Sequence, residues 1–209
     1  MIKENYRVKR FDPFVRQTRS ELLITCPYFE ALKGWMKLEE AEVLFQAAKQ
    51  VRKGVIVEIG SAAGKSTVAL SKGAAAGFEP AVFAVDPHEE FIGLYGSKYG
   101  SHFRKAFYET MLQTGCWSNV RLLNVSSEIL SQGWSDPVGL LWIDGDHRYE
   151  AVRRDVDCWI GHVISGSMII FDDANQSPSA PRTVIEQLCE DGLARYSGGV
   201  GKIMAVEKL

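Results

Sequence analysis

The sequence contains no apolar run approaching the ~20 residues that a transmembrane helix needs, and its opening Met-Ile-Lys-Glu-Asn-Tyr-Arg is charged rather than leader-like. No membrane partner is expected, and a cytoplasmic location follows by default. Cysteine is sparse. Cys26, Cys116, Cys158 and Cys189 lie far apart, with no C-x-x-C pair, which excludes a disulfide framework and a cysteine-based metal module and leaves free thiols. Nor is there an excess of positive charge: 24 basic and 26 acidic residues give a formal net charge of -2, so no broad cationic field draws in DNA or RNA. A small-molecule partner is favoured over nucleic acid. Internal repeats and low-complexity tracts are also absent.

What is present is a rhythm. The 209 residues, 46% of them hydrophobic, suit one globular domain with a small addition. Beyond residue 54, short apolar runs alternate with longer amphipathic ones, as in successive βα units around a parallel sheet. Strands are expected at 55–59, 81–85, 120–123, 139–143 and 167–171, then at 194–196 and 202–206. Most are apolar without polar alternation, as in strands covered by helices on both faces. Helices are expected at 65–76, 101–114, 149–163 and 180–191, with Pro181 in a first turn and Gly192 as a stop. The turn-rich link after Tyr196 suggests a closing antiparallel hairpin. Together these make a doubly wound, mostly parallel seven-stranded α/β sheet over residues 51–209.

Residues 1–50 differ. Helical periodicity covers 38–51, and the stretch before it is irregular and carries Phe11, Phe14, Tyr28, Phe29 and Trp35. It reads as an N-terminal helical lid or as the arm of a homodimer. The aromatic residues from Phe91 to Tyr99 read equally well as a wall beside a ligand or as surface packing.

The first strand runs into Glu58-Ile59-Gly60-Ser61-Ala62-Ala63-Gly64-Lys65-Ser66-Thr67, small residues that let the backbone turn sharply and approach a ligand before a helix begins. A P-loop needs four residues between its glycines, and Gly60 and Gly64 enclose three. A dinucleotide loop needs a glycine where Ser61-Ala62 stands. Both lose ground, although Gly64-Lys65-Ser66 keeps a nucleoside-triphosphate site as a remote alternative.

Two further runs, Leu141-Trp142-Ile143-Asp144-Gly145-Asp146-His147-Arg148-Tyr149 and Met168-Ile169-Ile170-Phe171-Asp172-Asp173, place carboxylates at the carboxyl ends of apolar strands. Ligands bind at that edge of an open α/β sheet. If the strands are neighbours, Asp144, Asp172 and Asp173 converge, and three carboxylates so close repel unless a cation neutralises them. Oxygen ligands favour Mg²⁺ or Ca²⁺, with Mn²⁺ an option. The rival is an acidic strand edge that binds nothing. His147, with an unperturbed pKa of about 6.5, suits a general base, and Asp146 is the alternative. A histidine that merely steadies Asp144 fits the sequence equally well.

The loop with an acid two residues before its first glycine resembles the first motif of class I S-adenosylmethionine-dependent methyltransferases. The spacing of 28 and 29 residues from Asp144 to Asp172 and Asp173, with the Ile-Asp-Gly-Asp-His-Arg-Tyr run, is similar to metal-dependent small-molecule O-methyltransferases of the catechol, macrocin-sugar and cephalosporin-biosynthesis types. The resemblance covers residues 54–207 and implies a Rossmann-like fold. It implies that Glu58, Gly60, Ser61, Gly64 and Ser66 support the methionine end of S-adenosylmethionine, that Asp86 accepts both ribose hydroxyls, that Ser126 and Ser127 lie in the adenine-contacting segment, and that Asp144 borders the cofactor. Ser126 or Ser127 serves equally well as a helix N-cap. The implied activity is metal-assisted O-methylation of a small-molecule hydroxyl, with Mg²⁺ as the expected ion; a catalytically silent cofactor-binding protein is the alternative. Catechol types carry Asn where Asp173 stands and Lys where His147 stands, so the sugar-modifying branch is the closer match.

Overall fold

A computed structural model describes residues 20–94 and 96–209, so Phe11 and Phe14 lie outside the described residues. The chain begins with a short helix α1 (Glu21–Thr25), a 3-10 turn (Phe29–Ala31) and α2 (Leu38–Lys49). Then come β1 (Val55–Ile59), α3 (Lys65–Ala76), β2 (Val82–Val85), a two-stranded hairpin of β3 (Phe91–Ile92) and β4 (Lys98–Tyr99), and α4 (Ser101–Thr114). A second 3-10 turn (Cys116–Ser118) leads to β5 (Val120–Leu123), α5 (Ser127–Ser131), β6 (Val138–Ile143), α6 (Tyr149–Trp159), β7 (Val163–Phe171), α7 (Ala180–Glu190), β8 (Ala194–Val200) and β9 (Ile203–Lys208).

Seven strands form one sheet in the order β5-β2-β1-β6-β7-β9-β8. Neighbours from β5 to β7 pair in parallel, whereas β9 pairs antiparallel with both β7 and β8. This is the doubly wound sheet with a closing hairpin that the apolar runs predict. Successive residues of a strand point to opposite faces, and the core divides accordingly. Ile56, Leu140, Trp142 and Ile170 face the layer that contains α2, α3 and α4, while Val57, Leu141, Ile143, Ile169 and Phe171 face α6 and α7. Burial on both sides explains why these strands show no polar alternation.

Leu22, Phe29, Leu44 and Phe45 share the first core with Ile56 and Trp142, so described residues on either side of position 50 are packed together. Ser179 caps α7 by accepting from the Arg182 amide, with Pro181 in the first turn and Gly192 left-handed (φ 70°) past its end. The last two strands run longer than expected because the hairpin pairs through Gly198 and Gly199. No helix among the described residues is long and apolar enough to cross a membrane.

Candidate active site

Strand β1 sits where the sheet order reverses, with β2 on one side and β6 on the other. The crevice beyond the carboxyl ends of strands at such a point is where open α/β sheets bind ligands. The loop after β1 turns through Gly60 (φ 88°) and Ala62 (φ 41°) and ends at Gly64 (φ 87°), which caps α3. Asp86, at the end of β2, accepts the Ala62 amide on Oδ2 (2.8 Å) and the His88 amide on Oδ1 (2.7 Å). Each oxygen keeps a lone pair for a further donor.

His88, to which the sequence assigned no role, is buried beneath the loop. Its Nε2 lies 2.8 Å from the Ala62 carbonyl and its Nδ1 2.8 Å from Asn124 Nδ2. The same Asn124 nitrogen donates to the Asp86 carbonyl (2.9 Å), so it is the donor and the neutral imidazole carries its hydrogen on Nε2. Asp86, His88 and Asn124 thus tie the ends of β2 and β5 to the glycine loop.

Glu58 is fully buried below the loop and accepts the hydroxyls of Ser66 and Thr67, each at 2.5 Å. It closes the start of α3 onto β1. Burial pushes its carboxyl up to about 7 against the opposing pull of the two hydroxyls. A carboxyl raised in the folded state prefers its neutral form there. Its contribution to stability is therefore complete below its ordinary value of 4.5 and is lost as pH climbs through about 7. That difference corresponds to roughly 3 kcal/mol. Glu58→Gln, which keeps a neutral amide in the same space, should gain on the wild type by that amount between pH ~4.5 and pH ~8 in urea unfolding. Parallel pH profiles for the two proteins would contradict this.

Strands β6 and β7 are neighbours with Ile143 paired to Phe171, so the residues that follow them, Asp144 and Asp172, emerge side by side. Asp173 is left-handed (φ 48°), and its carboxylate lies against His147 and Lys202. His147 Nδ1 lies 3.0 Å from Asp173 Oδ2, and its Nε2 lies 3.4 Å from Asp144 Oδ1 and 3.9 Å from Asp172 Oδ2. Asp144, His147 and Asp172 each offer a ligand atom within 4.8 Å of the others. His147 Nε2 and Asp172 Oδ1 are buried without a hydrogen-bond partner among the described residues, as is Ser61 Oγ in the loop.

A residue that the sequence did not single out completes the cluster. Lys202 Nζ lies 2.5 Å from Asp172 Oδ2 and 3.5 Å from Asp173 Oδ1. Burial alone would lower the pKa of His147, but the carboxylates of Asp144, Asp173 and Asp172 outweigh it and raise the value to about 10. The same balance raises Lys202, with Asp172 and Asp144 prevailing over burial. Asp172 is pushed up by burial and by Asp144, whereas the hydrogen bond from His147 holds Asp173 low. The repulsion among the three carboxylates is therefore already relieved in part by two cationic side chains. Asp146 also borders the site's cavity but is engaged by Arg148, accepting its Nη1 (2.5 Å) and its amide (3.2 Å).

These groups border a cavity of about 320 Å³. Gly60, Ser61 and Ser66 line one side, and Asp144, Asp146, His147, Asp172, Asp173 and Lys202 form its acidic end. Trp35, Phe91 and Tyr99 form a wall, in which Tyr99 stacks on Phe91 (centroids 4.7 Å apart) and on Phe103 (5.5 Å). Glu58, Gly64, Asp86, Ser126 and Ser127 do not line this cavity. Ser126 caps α5 by accepting the Ile129 amide, and Ser127 donates to the buried Asp155, whose carboxyl burial raises to about 6. Lys65 runs under Gly34, its Nζ 3.3 Å from the Glu30 carbonyl and 5.3 Å from the Phe29 ring centre. The lysine that a triphosphate site would need is thus committed to the N-terminal layer.

Residues 57–174 match the methyltransferase domain family. Among solved structures, the chain is similar to an O-methyltransferase from Bacillus cereus in complex with SAH, at 16% identity and a TM-score of 0.64, with 94% of each chain covered. It is also similar to an SAH-bound methyltransferase from Podospora anserina, at 14% identity and a TM-score of 0.66, covering 90% of this chain and 87% of that one. An rRNA methylase from Streptococcus thermophilus matches at 13% identity and a TM-score of 0.58, covering 84% and 99%. With its family match spanning more than half its length and its sheet order and crevice those of the class I S-adenosylmethionine-dependent enzymes, the chain belongs to the methyltransferase domain family.

Proposed function

We propose that the protein transfers the methyl group of S-adenosylmethionine to a hydroxyl oxygen of a small molecule, assisted by a divalent metal ion at Asp144, Asp172 and Asp173. One observation carries the reading: the acidic cluster adjoins the glycine loop in a single cavity, with the Asp144 amide bonded to the Ile59 carbonyl (2.8 Å) just before Gly60. A methyl donor on the loop and a hydroxyl at the cluster would share that space. The SAH carried by two of the similar structures supports the choice of cofactor. The size of the cavity and the net charge of -2 support a small acceptor over a polyanion.

The carboxylates of Asp144 and Asp172, with Asp172 Oδ1 buried and without a partner among the described residues, suit a hard divalent ion such as Mg²⁺ or Mn²⁺, and the converging group has His147 rather than Asp173 as its third member. Such an ion would supply a Lewis acid that lowers the pKa of the acceptor hydroxyl. In this reading the loop amides and Ser61 hold the methionine end of the cofactor, supported from below by Glu58 and Ser66. Asp86 takes the ribose diol with its remaining lone pairs, and Ser126 and Ser127 border the adenine. The carboxylates of Asp144, Asp173 and Asp172 hold His147 protonated. With Asp144 and Asp172 engaged by an ion, that hold would weaken. The neutral imidazole would then take the hydroxyl proton at Nε2, while Asp173 keeps Nδ1–H and stabilises the imidazolium, the division of labour of an Asp–His pair. Asp146, engaged by Arg148, is the lesser base. The oxygen then attacks the sulfonium methyl in line, forming a C–O bond as the C–S bond breaks. The products are a methyl ether and S-adenosylhomocysteine.

The grouping of His147 Nε2 with Asp144 and Asp172 favours a second assignment, with the imidazole itself as third metal donor and Asp173 orienting it through Nδ1. Electron spin-echo spectra of bound Mn²⁺ in protein with nitrogen-labelled histidine separate the two, since only direct ligation gives a strong nitrogen coupling.

The activity itself is tested with methyl-labelled cofactor, Mg²⁺ or Mn²⁺, and a panel of catechols and sugars. Methyl ether formation should fall at least about a hundredfold under EDTA or in Asp144→Ala, a loss of ~3 kcal/mol of transition-state stabilisation. Full transfer under EDTA would remove the metal, and cofactor binding without turnover across the panel would make this a silent binding protein.

A further inference from the structure

We propose that Lys202 is a tethered cation that competes with the divalent ion for Asp172 and Asp173, so that the site is held together without metal and takes it up weakly. This rests on the metal-assisted reading above and concerns the lysine alone.

Lys202 is not a surface lysine that happens to touch an acid. It lies in the turn between β8 and β9, which is fastened on both sides. Gly201 is left-handed (φ 56°) and so close to α2 that a Cβ there would lie 2.4 Å from Glu40 Oε1. Glu40, only 1% exposed, accepts the Lys202 amide on Oε1 (3.0 Å) and the Lys37 amide on Oε2 (2.9 Å). From the other side, Asn175 donates its side-chain amide to the Gly201 carbonyl (2.8 Å) and its backbone amide to the Lys202 carbonyl (2.9 Å). Burying a carboxylate is costly unless both oxygens are used, and here one fixes where the lysine starts while the other caps the first turn of α2.

From that anchored start the ammonium reaches Asp172 Oδ2 at 2.5 Å and Asp173 Oδ1 at 3.5 Å. Asp172 is 1% exposed, and an unpaired carboxylate there would be strongly destabilising. Lys202 supplies the missing charge. It takes only one of the two Asp172 oxygens, and Oδ1 stays buried without a partner among the described residues. The carboxylate thus keeps a free ligand atom while its charge is already engaged. A divalent ion arriving there meets a cation within a few ångströms, a repulsion that survives in a half-buried site because water screens it poorly.

Direct Mn²⁺ binding to the full chain, by titration calorimetry or by loss of the free-ion electron paramagnetic signal, tests this without reference to activity. Lys202→Met, close in shape and uncharged, should bind Mn²⁺ about tenfold more tightly than wild type or better. In the absence of metal it should melt below wild type, and Mn²⁺ should raise its melting temperature by more than it raises that of wild type. Should Lys202→Met fail to fold, Glu40→Gln decides the matter, since it loosens the turn and keeps the lysine. It should bind Mn²⁺ roughly threefold more tightly, and an unchanged affinity would overturn the proposal. Equal or weaker Mn²⁺ binding by Lys202→Met overturns it as well, while leaving the metal-assisted reading intact. If no form of the protein takes up Mn²⁺, both fall together.

Discussion

Replacing His147 by glutamine should lower kcat for methyl transfer by about 10²- to 10⁴-fold, the usual contribution of a positioned general base, and leave the affinity for S-adenosylmethionine unchanged. Glutamine fills similar space and retains hydrogen-bonding groups, but it cannot accept the proton that His147 Nε2 would take. The unpartnered state of that atom between Asp144 and Asp172, with Nδ1 held by Asp173, is what gives the expectation its size. Mn²⁺ affinity measured on the same variant adds a second reading. It should rise if His147 is a protonated neighbour of the ion that acts only as base, because a cation has been removed from the site, and fall about 10- to 100-fold if the imidazole is itself a ligand. Transfer by the variant at a rate within a few-fold of wild type would remove His147 from both roles.

Gly60→Ala should be the most damaging single substitution in the loop. Gly60 is left-handed (φ 88°), and an added Cβ would lie 2.1 Å from the Asp144 carbonyl oxygen and 2.5 Å from its carbon. Those are backbone atoms and cannot swing aside. Asp144 is pinned by the hydrogen bond from its amide to the Ile59 carbonyl (2.8 Å), and it follows a strand paired along its length with β1. The left-handed conformation alone costs alanine about 1–2 kcal/mol, and the clash adds to it. A loss of at least ~3 kcal/mol is expected, which for a chain of this size lowers the melting temperature by roughly 6–12 °C. Cofactor binding should be lost along with it, because relieving the clash pushes the loop off the crevice. A variant that melts with wild type and binds the cofactor normally would show that the loop tolerates a side chain there.

The same residues show why some features could be read from the sequence and others could not. β1, β5, α3 and α4 fall at the expected bounds because their ends are marked by abrupt changes of residue type, as where Ile59 gives way to Gly60 or α4 to Gly115. The helix expected over 149–163 stops at Trp159 because its apolar periodicity runs on into the next strand. That strand was expected only from 167, yet it begins at Val163. Between the pairs Val138–Val163 and Leu140–Met168 it spends five residues where β6 spends two, and the bulge carries Ser165 and Gly166, which do not look like strand. α1 and α5, five residues each, are too short to show a period.

In the site, the meeting of Asp144 and Asp172 was legible because the residues after two paired strands emerge side by side. Asp173 instead lies against His147 and Lys202, outside the group of ligand atoms that converges. Lys202, His88 and Glu40 were not legible. They reach the site through contacts spanning 30, 26 and 162 residues, and nothing in local pattern announces them. From the sequence the neutralising charge falls to a divalent ion, whereas the fold brings two side chains, Lys202 and His147, against the same carboxylates.

If the sulfonium methyl and a divalent ion occupy one cavity, Mn²⁺ added to the protein saturated with methyl-labelled S-adenosylmethionine must strongly broaden the methyl resonance, and Mg²⁺ in excess must restore it. A methyl signal that remains sharp while both cofactor and Mn²⁺ are shown to be bound would place them apart and contradict the assignment of the acidic cluster to methyl transfer.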